Sequence, residues 1–150
     1  MPRSTFRFCH RFRVRYSEVD PQAVVFNARY LDYADLTVVE YWRAAGIRPD
    51  DRSWPEFHVA RAAVDYRRPI RTDELIDAYA RVERFGTASM TIAIELHGAD
   101  AKDLRAEIAL VYVCVDLADG RSRPIPDSFR ARLAALDRGD DCGEGEALSD

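Results

Sequence analysis

Residues 28–45 read ARYLDYADLTVVEYWRAA, and this stretch decides the fold that the sequence predicts. Its largely apolar positions recur at the spacing of one helical face: Tyr30, Tyr33, Ala34, Thr37, Val38, Tyr41 and Ala45. Three further side chains widen that face: Leu31, Val39 and Trp42. Asn27 is a suitable N-cap and Gly46 a suitable C-terminal stop. Because few polar positions remain for solvent, this long helix has to be covered by other structure.

The segments on both sides of the helix alternate like β-strands. Residues 6–16, FRFCHRFRVRY, place aromatic and other side chains opposite a row containing arginines, which predicts a strand with one buried face. After a proline-containing loop over residues 47–57, four more strands are predicted, at 59–66, 75–85, 88–96 and 105–115. Strand, long helix and four strands make an α+β fold, a five-stranded antiparallel sheet wrapped around one central helix.

The length of 150 residues favours one domain, which we assign to residues 1–137, with a short terminal helix at 126–136. Residues 138–150 are acidic, contain glycine and have few large apolar groups, so we expect a mobile tail. No apolar run is long enough to span a membrane, and the start lacks the apolar core of a secretory signal. The cytoplasm is therefore the expected compartment.

Composition also limits the classes of ligand. A net charge of −4 argues against nucleic acid as a partner. Cys9, Cys114 and Cys142 are odd in number and widely spaced, without a C-x-x-C pair or a His-rich partner. We expect free thiols, no metal site and no cofactor.

Asp20 is the first candidate for chemistry, because it lies in a Pro-containing loop directly before the predicted helix. The first backbone N–H groups of a helix are unpaired and suit a developing oxyanion. A carboxylate on one side of a carbonyl and N–H donors on the other suit acyl transfer. A lone Asp before Pro is more often a turn former, so the spacing alone is a weak signal and leaves both interpretations open.

Two blocks of sequence resemble a known family. Residues 15–31, RYSEVDPQAVVFNARYL, resemble the signature of hotdog-fold thioesterases of the 4-hydroxybenzoyl-CoA thioesterase type. Residues 64–75, VDYRRPIRTDEL, resemble the family's second block, in which a strand ends in Tyr-x-x-Pro before an acidic turn. The resemblance covers residues 6–136 and implies a hotdog fold and the hydrolysis of an acyl-CoA to free acid and CoA. It also implies a homodimer or homotetramer with the site between subunits.

The resemblance implies roles for individual residues. Asp20 would be the nucleophile or the general base, and the backbone N–H at Asn27 would polarise the thioester carbonyl. The Asn27 side chain would then only cap the helix. Where the family has glycine, three residues after the aspartate, this chain has Ala23, which would be strained if that position needs a positive φ.

Substrate contacts are assigned to eight further residues: Val25, Phe26, Tyr30, His58, Arg67, Arg68, Arg84 and Ser89. Arginines at strand ends suit CoA phosphates, and in relatives the turn at 84–89 meets the nucleotide; solvated strand ends are the alternative. Glu18, two residues before Asp20, is expected to be an exposed, solvated acid. Trp54 and Phe57 suit an aryl or medium acyl chain, or simply pack.

Two other functions remain open. A hotdog hydratase or dehydratase would carry His five residues after the aspartate, where this chain has Val25. A non-catalytic acyl-binding or biosynthetic partner protein would keep the fold without turnover, and Ala23 is the feature that favours it.

Overall fold

A computed structural model describes residues 5–139 of the chain. Two helices and five strands are present: β1 Phe8–Arg13, α1 Arg29–Ala44, β2 Glu56–Tyr66, β3 Leu75–Phe85, β4 Ser89–Gly98, β5 Leu104–Val115 and α2 Asp127–Arg138. The strands form one sheet in the order β1-β3-β4-β5-β2, and every neighbouring pair is antiparallel. This confirms the predicted α+β architecture and leaves β1 and β2 as the edge strands.

The core lies between the sheet and α1. Successive residues of a strand point to opposite faces, so every second residue of β4 faces inward: Met90, Ile92, Ile94 and Leu96, all buried. They meet the helix face that the sequence predicts, in which Tyr33 and Tyr41 are fully buried. Each such large apolar side chain contributes roughly 1.5–3 kcal/mol by leaving water. Packing, rather than helix propensity, therefore holds α1 in place.

Strand β1 is shorter than residues 6–16, and its end was predicted wrongly. β3 begins at Leu75, opposite Arg13, so beyond that pair the chain has no strand to pair with. One further backbone bond follows in the described chain, from the Val14 N–H to the Glu74 carbonyl at 2.9 Å. The chain then makes a 3-10 turn at Tyr16–Glu18, which leaves Tyr16 88% exposed instead of on the buried face.

Other element ends differ by a few residues. β2 starts at Glu56, inside the predicted loop, because its pairing with β5 runs back to Val115. α2 continues to Arg138 and ends at Gly139, whose φ of +82° suits glycine at a helix C-terminus. The proposed tail therefore loses its first residue to α2, and positions 140–150, including Cys142, lie outside the described residues. None of the described helices is long and apolar enough to cross a membrane.

Candidate active site

Asp20 lies in a tight loop that a short backbone bridge closes. Val19 and Val25 pair with each other, and the Asp20 N–H donates to the Val24 carbonyl at 2.9 Å. Inside the loop, the Gln22 N–H donates to Asp20 Oδ1 at 2.8 Å and the Ala23 N–H to the Asp20 carbonyl at 2.9 Å. Asp20 Oδ2 accepts no hydrogen bond from the described part of the chain. Asp20 thus forms the turn with one carboxylate oxygen and keeps the other available for chemistry.

The loop imposes the backbone conformation that the sequence analysis flagged. Ala23 has a φ of +62°, in the left-handed region where residues other than glycine are unfavourable. For an L-residue this conformation costs roughly 1–2 kcal/mol. The strain expected from the missing family glycine is therefore present.

Contacts with two other segments hold the loop in this shape. The Val25 N–H donates to the Ile70 carbonyl at 2.8 Å, and Val24 forms a bridge with Arg71. The Phe26 N–H donates to the Glu18 carbonyl at 3.0 Å. The C-terminal end of the loop is thereby fixed, both against the segment after β2 and against the 3-10 turn.

Glu18 is not the solvated acid that the sequence suggested, because it is only 5% exposed. Its Oε1 accepts from the Arg15 N–H at 2.7 Å and from the Tyr33 hydroxyl of α1 at 3.1 Å, and Oε2 accepts from the Arg15 guanidinium. Burial, and then the charge of Glu18, raise the pKa of Tyr33, so its hydroxyl remains a donor. The 3-10 turn directs Glu18 toward α1. The sequence did not reveal this, because the alternation of a strand does not indicate where such a turn begins.

The start of α1 offers unpaired donors. The Arg29 N–H donates to the Phe26 carbonyl at 2.9 Å, and the Tyr30 N–H to the Asn27 carbonyl at 3.3 Å. Within residues 5–139, nothing accepts from the backbone N–H groups of Asn27 or Ala28. Ala28 occupies the N-cap position and no side chain caps the helix, so the expected Asn27 side-chain cap is absent. These two N–H groups lie at the end of the helix where the dipole is positive.

A cavity of about 240 Å³ opens at the start of α1, with Asn27 in its wall and Ala28 directly behind it in the chain. It brings together five of the predicted site residues: Val25, Asn27, Tyr30, Arg67 and Arg68. Its wall also includes Val24, Tyr66 and Pro69, which were not assigned a role, although Tyr66 and Pro69 belong to the second sequence block. Asp20 itself is not part of the wall, to which its loop contributes Val24 and Val25. The exposed Phe26 lies outside the wall as well.

Three predicted substrate residues lie elsewhere. His58 of β2 and Ser89 of β4 both pair with Val113, and Arg84 pairs with Thr91 in the next row of the sheet. Directly paired residues share a face, and the inward residues of β4 are the even-numbered ones, so all three are on the outer face of the sheet. His58 and the cavity are at opposite ends of β2. One chain therefore does not bring these three residues to the cavity.

The two arginines in the cavity wall are already paired with carboxylates. Arg67 contacts Glu107 at 2.7 Å and Arg68 contacts Asp103 at 3.4 Å, and both guanidinium groups remain more than half exposed. Exposed pairs of this kind contribute little to stability. An incoming phosphate can therefore compete for either arginine.

Arg105 supports the segment that carries these arginines, a role that its position in a strand did not suggest. It is buried and donates to the Pro69 carbonyl at 2.9 Å and to the Glu74 carboxylate at 2.6 Å. Burial alone would raise the pKa of Glu74, but hydrogen bonds from Arg105 and the Arg71 N–H more than offset it, so that pKa is lowered. The ion pair fixes one wall of the cavity.

A second, aromatic cavity of about 180 Å³ lies at the other end of α1. Trp42 of the helix, Trp54 of the following loop and Phe129 of α2 contribute its rings. Trp54 and Phe57 also pack against Phe129, with ring centroids 6.1 and 4.9 Å apart. Trp54 therefore packs and lines a cavity at the same time.

Comparison with known proteins identifies the family. The family model of the thioesterase-like superfamily matches residues 14–133. The chain belongs to this superfamily. It is accordingly a thioester hydrolase, as the two sequence blocks predicted. No curated protein matches the chain in sequence.

Solved structures of thioesterases share the fold. A thioesterase from Thermus thermophilus, complexed with coenzyme A and Zn, is 29% identical with a TM-score of 0.78, over 89% of this chain and 96% of that one. A predicted thioesterase from Bacillus stearothermophilus is 26% identical with a TM-score of 0.77, over 86% and 95%. A 1,4-dihydroxy-2-naphthoyl-CoA thioesterase from Synechocystis is 15% identical and shows the same fold, with a TM-score of 0.79 over 87% and 97%. The hotdog fold is thus confirmed.

Proposed function

We propose that this thioesterase hydrolyses an acyl-CoA to a free acid and CoA, with Asp20 acting on the thioester. The observation that carries the proposal is the junction between the Asp20 loop and α1. There, one free carboxylate oxygen precedes the unpaired N–H groups of Asn27 and Ala28, and Asn27 lines a cavity. A carboxylate and preorganised donors are the two elements that acyl transfer requires.

Asp20 can act by either of two routes. As a nucleophile it attacks the carbonyl carbon, CoA leaves as a thiolate, and water then splits the resulting mixed anhydride. As a general base it takes a proton from a water that attacks the same carbon, after which the C–S bond breaks. In both routes, negative charge develops on the carbonyl oxygen, where the N–H groups at the helix start stabilise it.

Coenzyme A as the leaving group is supported by the Thermus thermophilus thioesterase, which is complexed with it. The half-exposed Arg67 and Arg68 at the cavity provide cations for its phosphates. Arg84 and Ser89 are assigned to the nucleotide by resemblance alone. Their place on the outer face requires the nucleotide to extend along the surface of the sheet.

A second copy of the chain is proposed along β2. This strand is an open edge of 11 residues, and its Val59 and Tyr66 are 53% and 52% exposed. Two copies of β2 that pair antiparallel about a two-fold axis bring the start of one strand to the end of the other. The partner subunit's His58 and the partner's aromatic cavity then approach the cavity at Asn27.

The acyl group is proposed to occupy that aromatic cavity, because seven of its ten wall residues are apolar or aromatic, beside the charged Arg48, Asp51 and Glu56. A hydrolysis screen over short, medium, long and aromatic acyl-CoAs tests which chains fit. The cytoplasmic location expected from the sequence stays a prediction.

The experiment that tests the function is Asp20→Asn, assayed by thiol release. We expect kcat to fall at least about a hundredfold with little change in KM, because a positioned base alone contributes about 10²–10⁴ in rate. Asparagine keeps the Oδ1 acceptor for the Gln22 N–H, so the loop and the fold should survive. Asp32→Asn, an exposed acid of α1, is the matched control and should leave kcat unchanged.

Wild-type turnover by the Asp20→Asn variant on the best acyl-CoA would refute the mechanism. A wild-type chain that binds acyl-CoA without releasing thiol would instead support the non-catalytic acyl-binding alternative, which Ala23 favours.

A further inference from the structure

Tyr66 joins the end of β2 to the start of α1. Its hydroxyl donates to the Asn27 backbone carbonyl at 3.0 Å, across 39 residues of sequence. Its ring packs edge-on against Tyr30, with centroids 4.8 Å apart, and both rings line the cavity at Asn27. A side chain of the sheet therefore contacts the peptide group from which the helix begins.

That peptide group carries one of the two unpaired donors. The carbonyl of Asn27 and the N–H of Ala28 belong to the same planar unit and point in opposite directions. A hydrogen bond to the carbonyl therefore fixes the direction of the Ala28 N–H and, by polarising the amide, makes it a stronger donor. The only other donor to this carbonyl in the described residues is the Tyr30 N–H, at 3.3 Å. Tyr66 makes the shorter of the two bonds.

We propose that Tyr66 is a positioning residue for thioester hydrolysis, which orients and polarises the Asn27–Ala28 peptide so that the Ala28 N–H meets the developing oxyanion. This inference rests on the proposed function of Asp20 and the helix start. Tyr66 forms no bond to the reacting atoms in this scheme, and it acts through the peptide that it holds.

The contribution of the same bond to stability is small, which separates the two roles experimentally. Tyr66 is half exposed, and a single neutral hydrogen bond to an exposed hydroxyl adds little to the net stability of the fold. Tyr66→Phe removes one oxygen and keeps the ring against Tyr30. The fold should therefore remain, while the Asn27–Ala28 peptide loses the hydrogen bond that orients the Ala28 N–H.

The first measurement is steady-state thiol release by Tyr66→Phe. Loss of an entire oxyanion donor costs about 10²–10³ in kcat, so loss of its positioning should cost about tenfold, with KM within twofold of wild type. Tyr16→Phe is the matched control, since the Tyr16 hydroxyl is exposed and makes no hydrogen bond within the described chain. It should change neither constant.

The second measurement reads the donor directly. An acyl-CoA with a ¹³C-labelled thioester carbonyl is bound to Asp20→Asn, which slows turnover, and its carbonyl stretch is recorded by difference infrared spectroscopy. The band should lie below its position in water, and adding Tyr66→Phe should move it back toward that position. A merely structural role would not shift this band in folded protein.

The outcomes distinguish the two proposals. Full turnover by Asp20→Asn overturns the proposed function. If Asp20→Asn is inactive but Tyr66→Phe keeps the wild-type kcat and carbonyl band, only the role of Tyr66 fails. A raised KM with unchanged kcat also overturns it, because Tyr66 would then bind substrate and transition state equally.

Discussion

Replacing Ala23 with glycine should stabilise the protein. The left-handed φ of +62° costs alanine roughly 1–2 kcal/mol, and glycine adopts it without steric cost. Glycine also has more conformational freedom in the unfolded chain, and this greater entropy reduces the gain in stability by about 0.4–1 kcal/mol. The exposed methyl group of Ala23 buries little surface, so little packing is lost. We expect a net increase of about 0.5–1 kcal/mol in the free energy of unfolding.

For a domain of this size, about 1 kcal/mol shifts the melting temperature by about 2–4 °C, so Ala23→Gly should melt about 1–4 °C higher than wild type. Differential scanning calorimetry and urea titration at one fixed protein concentration measure this, since association would make the melting temperature depend on concentration. Ala118→Gly is the control, because Ala118 is an exposed turn residue without a positive φ. It should lose stability.

The claim that Ala23 is strained would be refuted if Ala23→Gly were no more stable than wild type. An equal gain in stability by Ala118→Gly would refute it as well. Turnover adds a second criterion, because the backbone of Ala23 already closes the loop through its N–H bond to the Asp20 carbonyl. We therefore expect kcat within about twofold of wild type. A tenfold rise would show that alanine distorts the loop in solution, as the acyl-binding alternative requires.

Contacts elsewhere in the fold lead to three further predictions. Glu18→Gln should lose about 1.5–3 kcal/mol of stability in urea titration, because an amide N–H₂ would face the Arg15 guanidinium; unchanged stability would return Glu18 to a solvated role. Burial raises the pKa of Asp137, so the folded state holds its proton to higher pH than the unfolded state, and stability from this group falls as pH rises from about 4 through the raised pKa. The stability of Asp137→Asn relative to wild type should therefore increase with pH, and a flat difference would contradict it. Val59→Lys on the β2 edge should give monomers in light scattering with unchanged circular dichroism, whereas Leu117→Lys, equally exposed but outside β2, should not.

Local patterns predicted the elements that have one continuous buried face. β3 spans Leu75–Phe85 as the alternation indicated, and α1 lies within the predicted helix, because burial of a face repeats with the period of the element. The same logic failed at the end of β1. Whether a strand continues depends on whether its neighbour does, and the neighbour's first residue, Leu75, is remote in sequence.

The candidate site was predictable only in part, for the same physical reason. Asp20 and the helix start are adjacent in sequence, so a local motif could indicate both. Glu18 bonds to Tyr33 and Tyr66 bonds to Asn27, and these contacts exist only after the sheet and α1 have packed. His58 could not be placed in this way, since a position at the start of a strand does not indicate which end of that strand adjoins the cavity.

These long-range contacts explain how the chain keeps a strained loop in front of its helix. An unfavourable φ persists only where surrounding structure over-determines the backbone, and the Asp20 loop is fixed by the Val25 bond to Ile70 and the Phe26 bond to Glu18. Each of these bonds joins the loop to a different segment. Changes in residues 66–70 should therefore alter turnover without touching Asp20, because the segment after β2 holds both the loop and the peptide that begins α1.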